Sequence, residues 1–193
     1  MYKLLTIKDK IRVPPVFFDK NKENSVSDAI KEELIGKLTK NKGIFLELVK
    51  IEEIGEGTII PGDGAIYYET IFKVLVYEPE MHELVHGKVK EIVEFGAFVS
   101  VGPFDSLVHI SQVMDDYVSY SKTGNLQGRE SKRSLSVGDK VIARVIAISV
   151  KSAENAKIGL TMRQPGLGRI EWIEEERKKA EEEAQKKILK SKE

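Results

Sequence analysis

Between residues 87 and 162, short runs rich in β-branched and aromatic residues alternate with glycines and polar turns. The clearest runs are Gly87–Val93, Glu94–Val99, Leu107–Ser111, Val137–Val141 and Lys157–Met162. No long stretch of helical periodicity interrupts them. Short strands separated by turns are typical of small closed or sandwiched β-folds. We therefore predict a small β-barrel over residues 81–168.

Residues 1–80 combine helix and strand signals, which predicts a mixed α and β domain. Ser25 or Ser27 is a candidate N-cap, and Gly43 is a candidate helix end. Between them, apolar residues recur at a spacing of four: Val26, Ile30, Leu34 and Leu38. Strands are predicted at Tyr2–Ile7, Ile44–Ile51 and Ala65–Tyr77. Pro14-Pro15 is predicted to interrupt regular secondary structure.

Residues Gly55–Gly64 contain four glycines and one proline, which predicts a shaped loop. Glycine-rich loops also bind phosphates, but neither G-x-G-x-x-G nor the P-loop pattern occurs here. The segment precedes a strand, whereas phosphate loops precede a helix N-terminus. We therefore expect this loop to contact another protein or the neighbouring domain.

The segment His82–His86 matches the zinc-protease pattern H-E-x-x-H. That chemistry requires a helix, on which residues four apart face one metal ion. Pro79 precedes the segment and Gly87 ends it, and the following residues favour a strand. On a strand the two histidines are about 13 Å apart, too far for one ion. We expect a linker that runs into a strand, and no metal site.

Overall composition excludes several classes of protein. There is no cysteine, so disulfides, thiolate catalysis and Cys-based zinc sites are excluded. The charges of the 31 basic and 31 acidic side chains cancel. This excludes a protein surface that is basic overall but does not exclude local basic patches. No apolar run has the length of a membrane span, and no signal peptide is evident. We expect a soluble, cytoplasmic protein without a cofactor.

The runs between residues 87 and 162 together resemble the RNA-binding repeat named after ribosomal protein S1. That resemblance covers about eighty residues and implies a five-stranded OB-fold. Two positions depart from the pattern. Ser106 stands where the repeat usually has glycine, and Ser149 stands where an aspartate is common.

Candidate RNA contacts follow from the side chains in this motif. The rings of Phe95 and Phe98 flank a Gly-Ala step and can stack on bases, unless they fill the barrel interior. His109 can stack or donate to phosphate. Four cations complete the candidate set, although most exposed lysines are simply solvated: Lys88, Lys90, Arg144 and Lys157.

Two polar segments flank or interrupt the barrel. Residues 115–134 form a long insertion that contains Lys122, Arg129, Lys132 and Arg133. It either follows an RNA backbone or is disordered. Residues 169–193 are charged, with several Glu–Lys pairs at a spacing of four, which predicts a solvated C-terminal helix.

The order of these parts resembles one family over roughly residues 1–165: the E-prime subunit of archaeal DNA-directed RNA polymerases, which is related to the seventh subunit of RNA polymerase II. The resemblance implies an RNP-like α+β domain at residues 1–80 that docks on the polymerase core. It implies pairing with the polymerase F subunit in a stalk beside the RNA exit path. The stalk binds emerging single-stranded RNA and supports initiation and elongation, without catalysis by this chain.

The resemblance also assigns roles by position. Candidate core contacts are Pro14, Pro15, Gly55, Gly57, Pro61, Gly62, Asp63 and Gly64. Phe95, Phe98 and His109 become candidate transcript contacts. The interface with the F subunit is expected in the first domain and around Glu78–Leu84.

An alternative is an RNA-binding cap protein of an exosome-like complex, since such proteins carry the same repeat. One type adds a KH domain with a G-x-x-G clamp, and no G-x-x-G occurs in this chain. Another type carries a cysteine-ligated zinc module, which the lack of cysteine excludes. Both observations favour the polymerase family.

Overall fold

A computed structural model describes residues 1–39, 43–121, 124–152 and 155–190. The chain divides into two compact units. Unit 1 comprises Met1–Pro79 with Val150–Ala156, and unit 2 comprises Glu80–Ser149 with Lys157–Glu193.

Unit 1 contains a four-stranded antiparallel sheet with a helix on one face. The strands are β1 (Tyr2–Val13), β2 (Leu38–Thr39), β3 (Gly43–Ile59) and β4 (Ile66–Tyr77), in the order β1-β4-β3-β2. A short 3₁₀ turn at Pro15–Phe17 precedes helix α1 (Lys22–Leu34). The buried core residues between helix and sheet are Ile11, Val13, Val26, Ala29, Ile30, Phe45, Phe72, Val74 and Val76. The predicted α+β fold of this part is confirmed.

Helix α1 begins and ends earlier than predicted. Its N-cap is Asn21, whose side chain accepts the Asn24 backbone N–H at 2.9 Å. Ser25 is instead buried, and its hydroxyl donates to the Phe17 carbonyl. The helix ends at Leu34, and Gly43 begins β3. The start was predicted wrongly because several side chains in this segment are able to cap a helix. The end was predicted wrongly because Gly36, with a φ of 80°, and not Gly43, lies just past the last turn.

The predicted loop Gly55–Gly64 is wrong in its first half. Strand β3 continues to Ile59, with a register shift between Ile54 and Gly57. A Cβ at Gly57 would lie 2.8 Å from side-chain atoms of Ile66 and Tyr68. Glycine is therefore required there by the close approach of β4, and the true turn is confined to residues 60–65.

Unit 2 contains a closed five-stranded barrel, as predicted. Its strands are β5 (Leu84–Val93), β6 (Gly96–Val101), β7 (Phe104–His109), β11 (Lys140–Ser152) and β12 (Asn155–Thr161). The sheet order is β12-β7-β6-β5-β11, and a further pairing of β12 with β11 closes it. Closure removes the free edges that an open sheet would present.

The insertion of residues 115–134 forms a small sheet of its own. It contains β8 (Val118–Tyr120), β9 (Leu126–Gly128) and β10 (Ser134–Leu135), in the order β10-β9-β8. The described part of the insertion is therefore ordered as a sheet. Lys122 lies outside the described residues.

A charged helix follows the barrel, as predicted. The short strand β13 (Gly168–Arg169) pairs with β11, and helix α2 (Ile170–Lys190) follows directly. Near its start, Trp172 is buried with the Arg133 guanidinium 5.7 Å from its ring centroid. Neither α1 nor α2, within the described residues, has an apolar stretch long enough to cross a bilayer.

Period-two alternation separates the barrel interior from its outer surface. Val89, Val99 and Val108 point inward and are buried. Ser106 also points inward and is 0% exposed, and its hydroxyl has no hydrogen-bond partner among the described residues. A buried hydroxyl without a partner loses its bonds to water without replacement.

We predict that Ser106→Ala raises the free energy of unfolding by about 1 kcal/mol, because it removes this unsatisfied group. Denaturant unfolding of the full chain measures the effect. The control is Ser100→Ala on the outer surface, which we expect to change stability by no more than about 0.5 kcal/mol. If Ser106→Ala and the wild type had equal free energies of unfolding, the buried Ser106 hydroxyl would not be destabilising.

Candidate nucleic-acid interface

Two phenylalanine rings form an aromatic pair on the outer surface of the barrel. Phe95 lies in the turn between β5 and β6 and is 52% exposed. Phe98 lies on β6 between buried Ala97 and Val99, so it points outward and is half-buried. The ring centroids are 6.3 Å apart with an interplanar angle of 87°. Neither ring fills the interior, and this edge-to-face contact stabilises their positions.

A glycine allows this turn to lie close to the next strand. Gly96 pairs with His109, and a Cβ at Gly96 would lie 2.1 Å from the Val108 carbonyl oxygen. The carbonyl of Phe95 then accepts the Ile110 backbone N–H at 2.9 Å. These contacts bring the Phe95 turn and the end of β7 together.

His109 is exposed at the end of β7, beside the aromatic pair. Its Nδ1 lies 2.9 Å from the Ser111 hydroxyl oxygen and accepts the Ser111 backbone N–H at 3.3 Å. Because Nδ1 accepts this N–H, the neutral ring carries its proton on Nε2. In this tautomer Nε2 is the ring donor, and His109 lies opposite Gly96, the residue between the Phe95 turn and Phe98.

The cations on this surface differ in their surroundings. Lys88 is exposed and pairs with Ser100, whose partner on β7 is Asp105. Lys90 lies at a register shift of β5, and its Nζ is 2.5 Å from the Asp105 carboxylate. The charge of Lys90 is therefore partly neutralised locally. This ion pair was not predictable from the alternation of β5, because Asp105 is two strands away.

Arg144 does not join the aromatic pair, and Lys157 lies on the strand next to β7. Arg144 lies opposite Leu84, whereas Phe98 lies opposite Glu91, about 20 Å further along β5. The Arg144 Nε is buried and has no hydrogen-bond partner among the described residues. Lys157 is exposed on β12, two residues before the pairing of Gly159 with Leu107. The structure thus groups Phe95, Phe98, His109, Lys88 and Lys90 on strands β5–β7.

The H-E-x-x-H segment lies elsewhere on the barrel. His82 has a positive φ of 67° in a turn, and His86 lies on β5. The two histidines are therefore not on one helical face. Within the described ranges, no group of three His, Asp or Glu side chains is positioned to hold a metal ion.

A second candidate surface lies at one end of the unit 1 sheet, where β1 and β3 end and β4 begins. Val13 and Ile59 both pair with Ile66, so residues 14–16 and 59–64 lie at the same end. We call these residues the tip. A Cβ at Gly64 would be 3.7 Å from Pro15, so the proline segment lies next to the turn. The sequence alone could not show this proximity.

The carboxylate of Asp63 organises the tip. Arg12 donates from Nε at 2.9 Å and from Nη2 at 2.8 Å to its two oxygens. The Tyr67 hydroxyl donates at 2.6 Å, and the Ala65 backbone N–H donates at 3.2 Å. The hydrogen bonds from Arg12 and then Tyr67 hold the pKa of the Asp63 carboxyl well below its usual range. Both carboxylate oxygens of Asp63 thus already accept hydrogen bonds from within the chain.

Among the apolar residues of the tip, Ile59 and Ile60 lie inside the predicted contact loop Gly55–Gly64 but were not singled out, and Val16 was missed. Ile59 is 69% exposed, and Ile60 and Val16 are also exposed. Large aliphatic side chains usually lie inside a fold, so an exposed group at one end of a sheet indicates a contact surface. The only sequence signal was their position beside the glycines, which does not report exposure.

Comparison with known families divides the chain as the fold does. Residues 8–64 match the family described as "SHS2 domain found in N terminus of Rpb7p/Rpc25p/MJ0397". Residues 78–158 match the S1 RNA binding domain. The predicted S1-type barrel is therefore confirmed by sequence as well as by strand order.

Relatives extend over nearly the whole chain. DNA-directed RNA polymerase subunit Rpo7 of Sulfolobus acidocaldarius is 42% identical over 181 residues, covering 93% of this chain and 99% of the relative. Rpo7 of Saccharolobus shibatae is 38% identical, covering 92% of this chain and 100% of the relative. DNA-directed RNA polymerase III subunit RPC8 of Bos taurus is 30% identical, covering 56% of this chain and 53% of the relative.

These relatives give no support to the exosome alternative. They confirm the resemblance to the archaeal seventh-subunit family, and the identity is high along almost the full length of both chains. The chain belongs to the Rpo7 family of DNA-directed RNA polymerase subunits.

Proposed function

We propose that this chain is a non-catalytic subunit that pairs with the polymerase F subunit, docks on the polymerase core and binds emerging single-stranded RNA. The observation that carries the RNA-binding part is the aromatic pair Phe95–Phe98, which lies outside the barrel beside His109. The role supports initiation and elongation by holding the transcript as it leaves the enzyme.

The barrel site matches the surface that OB-folds use for oligonucleotides. In this fold the second and third strands, with the loop between the first and second, form the binding face. Here those parts are β6, β7 and the Phe95 turn. Stacking on an aromatic ring tolerates any base, so the site binds single strands with little sequence preference.

Electrostatic attraction adds a modest contribution. Lys88 is exposed on the binding face, and Lys90 exchanges its partner Asp105 for a phosphate with little cost because the ion pair is exposed. Arg144 lies away from the rings and contributes only to the general charge of the barrel, whereas Lys157 is exposed on β12 beside β7. RNA affinity therefore falls with added salt, with a shallow slope.

The tip is the proposed contact with the polymerase core. Its exposed residues Ile59, Ile60 and Val16 supply apolar area, and Pro61 restricts the turn. Asp63 does not contact the core in this arrangement, because its oxygens already accept bonds from Arg12, Tyr67 and Ala65. Gly55 and Gly57 lie inside β3 and act through strand packing instead of direct contact.

The proposed interface with the F subunit uses further exposed apolar residues in both units. In unit 1, Tyr2 and Leu4 are exposed on β1, which is an edge strand. In unit 2, Met81 and Leu84 are exposed where the barrel begins. Each group offers aliphatic or aromatic area of the kind that stable heterodimers bury.

We predict that the double variant Phe95→Ala/Phe98→Ala raises the Kd for a single-stranded RNA at least about fivefold, because each stacked base contributes about 1–3 kcal/mol. Fluorescence anisotropy with labelled oligouridine measures the effect on the full chain. The control is Phe18→Ala, an exposed phenylalanine of unit 1. Wild-type affinity in a correctly folded double variant would exclude stacking on these rings.

We predict that Ile59→Asp/Ile60→Asp lowers retention of the chain on the polymerase core about tenfold or more, because each buried isoleucine contributes about 1.5–3 kcal/mol. Reconstitution with the F subunit and the core, followed by gel filtration, measures retention. Binding to the F subunit should be unchanged. Val49→Asp, at an exposed valine elsewhere on β3, is the matched control and should retain the core.

We predict that Asp63→Asn lowers the melting temperature near neutral pH and that this difference shrinks as the pH falls. The folded-state pKa of Asp63 is lowered chiefly by the hydrogen bond from Arg12, so its stabilisation is present above the ordinary carboxyl pKa of about 3.9 and is lost below it. Asp19→Asn, at an exposed position, should show no such difference. A gap between variant and wild type that stays constant down to low pH would contradict this account.

A further inference from the structure

The insertion sheet of unit 2 presents an exposed tyrosine beside two cations. Tyr117 directly precedes β8 and is 77% exposed. It lines a cleft of about 570 Å³ with Ser119, Gln127, Gly128, Arg129 and Lys132. This volume is within the range of about 300–1,000 Å³ typical of clefts for small ligands. The cleft contains one aromatic face and two positive charges.

The backbone around Tyr117 is held by one carboxylate. Asp116 accepts the backbone N–H groups of Tyr117, Glu130 and Ser131, at 2.6, 3.0 and 2.9 Å, and the Ser131 hydroxyl at 2.8 Å. The Arg129 backbone N–H also donates to the Tyr117 carbonyl at 2.9 Å. The backbones that carry the tyrosine and the arginine are therefore held next to each other before any ligand binds, which reduces the entropy cost of binding.

The two cations of this cleft are not neutralised within the described part of the chain. Among the residues that the structure describes, neither Arg129 nor Lys132 forms an ion pair with a carboxylate. Other cations of unit 2 do: Lys90 pairs with Asp105, Arg163 with Asp115, and Arg133 with Glu176. Arg129 and Lys132 are thus available to an anionic ligand.

A neighbouring cleft that Tyr117 also lines has the reverse charge. A second cleft, of about 690 Å³, is lined by Asp115, Asp116, Glu130 and Arg163 as well as by Tyr117. Its three carboxylates outnumber its one cation, so this side repels phosphate. A phosphate backbone is therefore directed to the side of Arg129 and Lys132, while the ring accepts a base.

We propose that Tyr117, Arg129 and Lys132 form a second binding site for single-stranded RNA, separate from the rings of Phe95 and Phe98. A base stacks on Tyr117, and the flanking phosphates contact Arg129 and Lys132. The site shares its ligand with the proposed barrel site and rests on that proposed function only for the identity of the ligand.

The two sites belong to one compact unit, so one RNA strand can occupy both. Ser111, which hydrogen-bonds His109 at the barrel site, also lines the acidic cleft beside Tyr117. Occupation of a second site by the same strand raises the apparent affinity through effective concentration. The gain requires an RNA that is longer than the roughly 4–16 nucleotides one OB-fold occupies.

The test measures binding of labelled oligouridines of about 6 and about 20 nucleotides to the full chain by fluorescence anisotropy, in wild type and variants. Tyr117→Ala should raise the Kd for the long RNA about fivefold or more, and Arg129→Ser/Lys132→Ser should do so at low salt with a shallower salt dependence. The ratio of long-RNA to short-RNA affinity should fall. Tyr117→Phe, which keeps the ring, should bind as the wild type does.

Tyr120 is a matched control, because it is 39% exposed at the end of β8, the short strand that Tyr117 precedes, but does not line the cleft with Arg129 and Lys132. Tyr120→Ala should leave both affinities unchanged.

If Phe95→Ala/Phe98→Ala loses RNA and Tyr117→Ala does not, the second site is overturned and the barrel site stands. If wild type binds no RNA, both are overturned. If Tyr117→Ala instead weakens binding to the F subunit or to the core alone, the RNA site is overturned and the surface belongs to a protein partner.

Discussion

The small interior of a closed five-stranded barrel decides where the functional side chains of unit 2 lie. Val89, Val99 and Val108 occupy that interior, and Ala97 lies beside Phe98 on the inward side. Because strand residues alternate between two faces, the intervening side chains must point outward. Phe98 therefore points outward beside the Phe95 turn, whereas Phe104, which is in phase with Ser106 and Val108, lies inside. The proposed RNA site is a consequence of how the core is filled.

Electrostatics then limits the strength and the direction of binding. The chain has no net charge, and several cations of unit 2 already contact carboxylates. Within the described residues, the cations without a carboxylate partner include Lys88 and, in the insertion beside Tyr117, Arg129 and Lys132. Such a charge distribution favours weak binding of RNA without sequence preference over tight binding at a single position. That behaviour suits the proposed contact with RNA throughout elongation.

Unit 1 uses an internal ion pair to shape the surface that we propose for protein contact. Arg12 and Asp63 are far apart in sequence, but β1 and β4 pair so that Arg12 lies opposite Tyr67, within reach of Asp63. The carboxylate of the tip is thereby satisfied within the chain. What remains exposed for a partner is aliphatic: Val16, Ile59 and Ile60. Polar residues position this surface, and apolar residues supply its contact area.

The sequence alone determined the barrel, the α+β first unit and the charged C-terminal helix, because local periodicity and turn residues report on strands and helices directly. It also determined the family, and it singled out Phe95, Phe98 and His109 from motif order. Only the tertiary structure decided the partners of those residues. The pairing of Lys90 with Asp105, the occupation of Asp63 by Arg12, the separation of Arg144 from the rings and the exposure of Ile59 all depend on strand register. Register brings together residues distant in the chain, and no local pattern encodes those contacts.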